Sequence, residues 1–129
     1  MKFILLLSMM FCHIIDDYKL QGILAEFKQR SWWQEHAPAL MYKHDYIIAL
    51  IEHAFSWAFM IHLPVVIYCM YFDCLNIYCI AGTFILNWAL HACIDNLKAN
   101  VHSINLVQDQ LSHFGQIVIT WSLYAFIVR

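Results

Sequence analysis

Hydrophobic residues dominate four long stretches of the chain, and short polar segments separate these stretches. The stretches cover about 2–28, 44–72, 77–100 and 106–128. A helix needs about 20 residues to cross the hydrocarbon core of a bilayer, so each stretch is long enough. Membrane strands would require alternating polarity and many turns, and the sequence shows neither. The pattern predicts an all-α, polytopic membrane protein.

The connections between the predicted helices are short, which favours antiparallel neighbours. The sequence therefore predicts one domain, residues 1–129, built as an antiparallel bundle of four transmembrane helices. The first helix is expected to run unbroken and to emerge into the interface in its second half. Pro64 is expected to kink or end the second helix. Trp32 and Trp33 lie in the first connection, as is typical of residues at a membrane surface.

Composition agrees with a membrane environment. The 129 residues are 63% hydrophobic and 12% charged, whereas a soluble domain is about 45–50% apolar and about 25% charged. The formal net charge of -2 offers no basic surface to nucleic acid. The expected partner is membrane lipid, and the formation of a homo-oligomer is left open.

Basic residues are distributed unevenly between the two ends of the predicted bundle. One end collects Lys28, Arg30, Lys43 and Lys98. The other end has Lys2 and Arg129. Lys and Arg accumulate in cytoplasmic loops, so the connections between helices one and two and between helices three and four are predicted to be cytoplasmic. Both termini are then outside.

Three of the predicted helices repeat one spacing of polar residues, a His and an Asp four positions apart. The pairs are His13 and Asp17, His91 and Asp95, and, in reverse order, Asp109 and His113. Residues four apart share a helix face. Because the helices alternate in direction, all three pairs should lie toward the cytoplasmic end, together with His44 and His53. Ionisable groups in hydrocarbon usually face the bundle interior and pair with one another, which predicts one shared site.

Imidazole and carboxylate ligands together suit zinc or manganese. The predicted metal ligands are His13, Asp17, His53, His91, Asp95, Asp109 and His113. Seven candidates exceed the four that one zinc ion needs, so two ions or carboxylates that orient the His ligands are both open. Asp17 and Asp109 are the candidates for a base that activates water, and Lys98 is the candidate for a phosphate contact.

Other polar residues are predicted to lie beside this site. Gln21 and Lys28 are expected at the membrane surface, where they would line an entrance, and Asn87 continues the stripe of His91 and Asp95. The alternative to a metal site is a purely structural network, in which Asp95 would bond to Lys98 and His113.

These motifs resemble an uncharacterised family of small membrane proteins from bacteria and their phages, catalogued as a domain of unknown function. The motifs are HxxxDxxLQ from His13, Lys28, His44-Asp45, His53 to Trp57, DxxK within Ile94 to Asn100, and DQxxH from Asp109. The resemblance covers nearly the whole chain. It implies a phage or prophage source, the cytoplasmic membrane of a bacterial host, and the site residues His13, Asp17, Gln21, His53, His91, Asp95, Lys98, Asp109 and His113. Asp16 departs from the small residue usual at that position.

The chain also looks distantly like membrane-bound, metal-dependent hydrolases. The leading hypothesis is therefore a hydrolase with a divalent metal, acting on a lipid-linked or phosphate-bearing substrate near the cytoplasmic leaflet. A proton or metal transporter is the first alternative, although the outer half offers only Ser56, His62 and Thr83 for a polar path. A non-enzymatic phage module for lysis or host interference is the second alternative.

Overall fold

The structure, a computed structural model, describes residues 1–127. These residues form helices and no strand, which confirms the all-α prediction. The helices are α1 (Lys2–Ile15), α2 (Leu24–Phe27), α3 (Arg30–His36), α4 (Asp45–Tyr71), α5 (Ile77–Asn96) and α6 (Leu106–Ser122). Three of them continue into π-helical turns, which are Asp16–Leu20, Leu97–Val101 and Leu123–Ile127. The predicted end of the last helix, at about 128, lies outside the described residues.

The first predicted helix, about 2–28, is divided in the structure. α1 and its π-helical turn end at Leu20, and Gly22 follows with φ 48°. That left-handed conformation is open to glycine and strained for other residues, so the chain turns at this point. It resumes as the short helix α2. The break allows Lys28, just after α2, to fold back toward the bundle.

The three later predicted helices match α4, α5 and α6 closely. α4 is a continuous helix of 27 residues, and Pro64 does not end it. α5 starts where the side chain of Asn76 accepts hydrogen bonds from the backbone N–H groups of Tyr78 and Cys79, both at 3.1 Å. α6 starts with a capping box of Asn105 and Gln108, which satisfies two backbone donors reciprocally.

The four long helices form a ring in which each packs against two others. α1 and α5 both pack against α4 and α6. Contacts at the two ends show that neighbours are antiparallel. The indole of Trp121, late in α6, donates to the carbonyl of Lys2, at the start of α1, over 2.7 Å. His13, late in α1, receives a hydrogen bond from Trp57, in the first half of α4.

The interior of the ring has an apolar half and a polar half. The apolar half is filled by buried side chains of α1, α4 and α6, among them Met9, Ile61, Val65 and Ile117. The polar half lies where α1 and α5 end and where α4 and α6 begin. It holds most of the His and Asp residues that the sequence singled out.

Within the described chain, two segments are long and apolar enough to cross a membrane. They are Leu40–Tyr71 and Ile77–Val101, which contain α4 and α5. α1 has 14 residues and runs directly into Asp16 and Asp17, and α6 carries Asp109, His113 and Gln116 along its length. Two of the four predicted spans therefore meet the requirement by length and composition.

Candidate metal centre

All four long helices contribute to one group of buried ionisable side chains, called the His/Asp cluster below. Its members are His13, Asp16, Asp17, His53, His91, Asp95, Asp109 and His113. None is more than 7% exposed. The structure thus brings together every residue that the sequence offered as a metal ligand, and adds Asp16.

Local helix geometry turns these side chains inward. On α5, Asn87, His91 and Asp95 recur every four residues and are buried along one face. Asp109 and His113 do the same at the start of α6. On α1 the adjacent carboxylates of Asp16 and Asp17 are both buried, at the point where the helix widens into its π-helical turn. Such turns are frequent at functional sites.

His53 is the centre of one group of possible ligands. Its Nε2 atom lies 3.2 Å from Nε2 of His91 and 3.5 Å from Oδ1 of Asp17. The same nitrogen is 3.3 Å from Oδ2 of Asp95. Asp17, His53 and His91 are therefore close enough together to hold one metal ion.

His113 is the centre of a second, overlapping group. Its Nε2 atom lies 3.3 Å from Oδ1 of Asp95 and 3.4 Å from Oδ1 of Asp109. Its Nδ1 atom is 3.1 Å from Nδ1 of His91. His91, Asp95 and His113 are again close enough to hold an ion. Asp95 faces both groups, with one oxygen toward each.

The spacing of these donor atoms fits a divalent ion. Ligand atoms about 2.1 Å from a tetrahedral zinc ion are about 3.4 Å apart. The three neighbours of Nε2 of His53 lie at similar separations, 3.2–3.5 Å from that nitrogen. Three carboxylate oxygens of the cluster are also buried without a hydrogen-bond partner among the residues that the structure describes, namely Oδ2 of Asp16, Oδ1 of Asp17 and Oδ1 of Asp109. Buried polar atoms normally have a partner, so these oxygens are suited to a ligand.

Two lysines reach the cluster from its outer side. Nζ of Lys28 lies 2.6 Å from Oδ2 of Asp95, and Nζ of Lys98 lies 2.7 Å from Oδ2 of Asp109. The Lys28 side chain is 12% exposed and the Lys98 side chain 35%. Lys28 also donates to Gln21 over 3.1 Å. The predicted neighbours Gln21 and Lys28 therefore lie beside the cluster, and Lys28 is an ion-pair partner inside it.

The charges of the cluster do not balance. Within residues 1–127, its four carboxylates face the two ammonium groups of Lys28 and Lys98, which leaves two negative charges when the imidazoles are neutral. Uncompensated charge is costly to bury. Bound protons or one divalent cation would offset it.

His13 belongs to the cluster but lies outside both groups of possible ligands. Its Nδ1 atom accepts a hydrogen bond from the indole of Trp57 over 2.7 Å. An indole N–H can only donate, so the ring proton of neutral His13 is on Nε2, which faces Oε1 of Gln110 at 3.2 Å. Both nitrogens are thus engaged by neighbouring side chains. Gln110 in turn donates to Asp17 and Asp109 over 3.2 Å each, so it links His13 to two of the candidate ligands.

Asn87 is linked to the cluster through Gln116. The side-chain amide of Asn87 donates to the Thr120 hydroxyl over 2.8 Å, and the backbone carbonyl of Asn87 accepts from Gln116 over 3.3 Å. Gln116 faces Nδ1 of His113 at 3.2 Å. His44, which was expected at the same end of the bundle, is exposed at the start of α4.

Sequence reasoning missed several residues that contact the cluster. Asp16 accepts a hydrogen bond from Ser56 over 2.6 Å, and the Trp57 ring stacks on His91 with centroids 4.2 Å apart. Gln110 entered the sequence analysis as part of the DQxxH motif and not as a site residue. Asp16 and Gln110 could have been found by their position next to predicted ligands, because Asp16 precedes Asp17 and Gln110 follows Asp109.

Comparison of the chain with protein-family models, with curated proteins and with solved structures gives no match. The resemblance to a phage membrane-protein family therefore stays a prediction.

Proposed function

We propose that this protein is a membrane-embedded four-helix bundle whose His/Asp cluster binds zinc or manganese and hydrolyses a lipid-linked or phosphate-bearing substrate near the cytoplasmic leaflet. The observation that carries the proposal is the cluster itself. Imidazoles and carboxylates from four helices are buried together at ligand spacing, and three buried carboxylate oxygens have no hydrogen-bond partner within the described part of the chain. A purely structural network would be expected to satisfy those atoms.

The distribution of polarity supports the membrane part of the proposal. Large apolar side chains also point outward from α1 and α6, the shorter of the four long helices. Examples are Phe3 and Phe11 on α1 and Ile119 on α6, which are 63–73% exposed. Polar side chains fill half of the interior instead. Soluble monomers rarely expose such continuous apolar surfaces, whereas lipid chains would cover them. The proposal includes all four spans, in the cytoplasmic membrane of a bacterial host, with the cluster toward the cytoplasm.

The residues of the cluster suit metal-assisted hydrolysis. A bound divalent metal would lower the pKa of a water molecule and polarise a phosphoryl or carbonyl group. Asp17, His53, His91, Asp95 and His113 would hold it. Asp109 lies beside them with one unpartnered oxygen and would accept a proton from water. Lys98, the more exposed lysine, would contact a phosphate as a point charge.

Metal content of the detergent-purified protein tests the first half of the proposal. We expect one or two zinc or manganese ions per chain, and their loss in the Asp17→Ala and His91→Ala variants. Asp45→Ala removes a carboxylate at the start of α4, away from the cluster, and should keep the metal. Circular dichroism confirms that each variant is folded. A folded, metal-free wild type after growth in metal-supplemented medium would refute a metal centre.

Release of phosphate from lipid phosphates in mixed micelles tests the second half. We expect activity that depends on added metal and is lost in the Asp109→Asn variant. A metal-loaded protein without such activity would leave binding or transport as the role of the site.

A specific observation favours transport as the second candidate function. The polar contacts of the cluster continue past His113 through Gln116 and Asn87 to Thr120. Farther along, a separate group joins His62, Thr83 and Tyr124 over 3.2 Å and 2.7 Å. The interior is therefore more polar than the sequence predicted. Within the described range, residues 1–127, no hydrogen bond connects the two groups. Proton or zinc flux into liposomes would support this candidate over hydrolysis.

A further inference from the structure

Asp16 and His53 face each other with unpartnered atoms. Oδ2 of Asp16 and Nδ1 of His53 lie 3.9 Å apart, and neither atom has a hydrogen-bond partner within residues 1–127. Both side chains are buried, at 0% and 1% exposure. Two orphaned polar atoms in such a place are rare unless they serve each other or a ligand.

Ser56 fixes the carboxylate of Asp16 in this position. Its hydroxyl donates to Oδ1 of Asp16 over 2.6 Å. Ser56 and His53 are three residues apart on α4 and share a face of the helix. One turn of α4 thus presents both the His53 imidazole and the Ser56 hydroxyl, and this hydroxyl holds the Asp16 carboxylate beside the imidazole.

The other nitrogen of His53 faces the candidate ligands. Nε2 lies within 3.5 Å of Asp17, His91 and Asp95. A neutral imidazole carries its proton on one nitrogen and a lone pair on the other. Nε2 can bind a metal only when the proton is on Nδ1, and the carboxylate that the described structure places near Nδ1 is that of Asp16.

We propose that Asp16 is a positioning residue, whose carboxylate keeps the proton of His53 on Nδ1 and so turns Nε2 into a metal ligand. Carboxylates commonly orient metal-binding imidazoles in this way, and removing one costs about 10–100-fold in metal affinity. The inference rests on the proposed metal centre. The gap of 3.9 Å is about 1 Å longer than a hydrogen bond, so the proposed contact requires a small movement of one of the two side chains.

Two measurements on the full-length protein in detergent test this role. The ¹⁵N NMR shifts of the His53 ring report which nitrogen carries the proton, with the His53→Gln variant providing the assignment. We expect Nδ1–H in the wild type and a mixture of tautomers in Asp16→Asn. Zinc titration should give a dissociation constant about 10–100-fold higher for Asp16→Asn. Asp16→Glu should recover part of the affinity, and Asp45→Asn should behave as the wild type.

The possible results separate the positioning role from the metal centre. A wild type that binds zinc, together with an Asp16→Asn variant of unchanged affinity and unchanged His53 tautomer, would overturn the role of Asp16 and leave the metal centre standing. If no zinc binds to the wild type, the proposed function fails, and the tautomer in the metal-free protein still decides the role of Asp16. Should Asp16→Asn not fold, Ser56→Ala releases the same carboxylate and should shift the tautomer in the same direction. An unchanged tautomer in Ser56→Ala would then overturn the proposal.

Discussion

The carboxylate of Asp95 contacts side chains from three other parts of the chain. It accepts from Lys28 at 2.6 Å and lies within 3.3 Å of both His53 and His113. The ammonium group of Lys28 supplies a positive charge at the same carboxylate that would hold the proposed divalent cation. Removing one partner of a buried ion pair leaves an uncompensated charge and typically costs about 3–5 kcal/mol.

The Lys28→Met variant tests how much the ion pair of Lys28 and Asp95 contributes to stability. We expect it to lower the free energy of unfolding by about 3–5 kcal/mol in the presence of EDTA, because Asp95 loses its closest cation. Zinc should raise the melting temperature more in Lys28→Met than in the wild type, since the ion replaces the missing charge and stabilises by mass action. Lys19→Met, which changes an exposed lysine, serves as the control. Equal zinc shifts in both proteins would contradict the prediction.

At the scale of elements, the break after α1 decides where Lys28 lies. Gly22 turns the chain, α2 carries it for one helical turn, and Lys28 then returns to the cluster. Asn100, at the end of α5, holds this segment in place. Its side chain donates to the carbonyl of Lys28 over 3.0 Å and accepts from the backbone of Arg30 over 2.7 Å.

The conformation of Gly22 makes a prediction for this element. Gly22→Ala should cost about 1–2 kcal/mol, because a residue with a Cβ atom is disfavoured at φ 48°. A steric clash is not the cause, since the nearest atom to the added Cβ would be a carbonyl oxygen at 3.8 Å. Gly82→Ala, in open space on α5, is the matched control and should be neutral or stabilising. Thermal unfolding monitored by circular dichroism compares the two. Equal stabilities would show that the turn tolerates a side chain.

At the scale of the whole molecule, the bundle has a polar interior at one end and an apolar surface around it. Buried His and Asp residues on the inside and exposed Phe, Ile and Leu residues on the outside reverse the arrangement of a soluble protein. The proposed lipid surroundings would account for both features, because lipid covers apolar surface and favours ionisable groups that face the bundle interior.

The orientation of the bundle can be tested with single cysteines in a cysteine-free background. Ser31→Cys and Ser103→Cys lie in the connections predicted to be cytoplasmic, and Leu75→Cys lies in the connection on the other side. In intact bacterial cells, a membrane-impermeant maleimide should label Leu75→Cys alone. In inverted vesicles the labelling should be reversed. Labelling of all three in both preparations would exclude a fixed transmembrane orientation.

The sequence by itself determined the features that depend on spacing along one helix. The apolar stretches predicted the starts of α4, α5 and α6 to within one residue, because short polar segments separate these stretches along the chain. The four-residue repeat identified His91 with Asp95 and Asp109 with His113, since that repeat defines one face.

Only the tertiary structure decided which residues meet across helices. Lys28 and Asp95 are 67 positions apart, and Trp57 and His13 are 44 apart, so no local period relates them. The burial of Asp16 depends on a π-helical turn and on the face that α4 presents, neither of which hydrophobic periodicity encodes. Spacing reports which side chains share a helix face, whereas the packing of the bundle decides what that face contacts. For that reason the sequence predicted the candidate ligands, and the structure identified the residues that hold them in place.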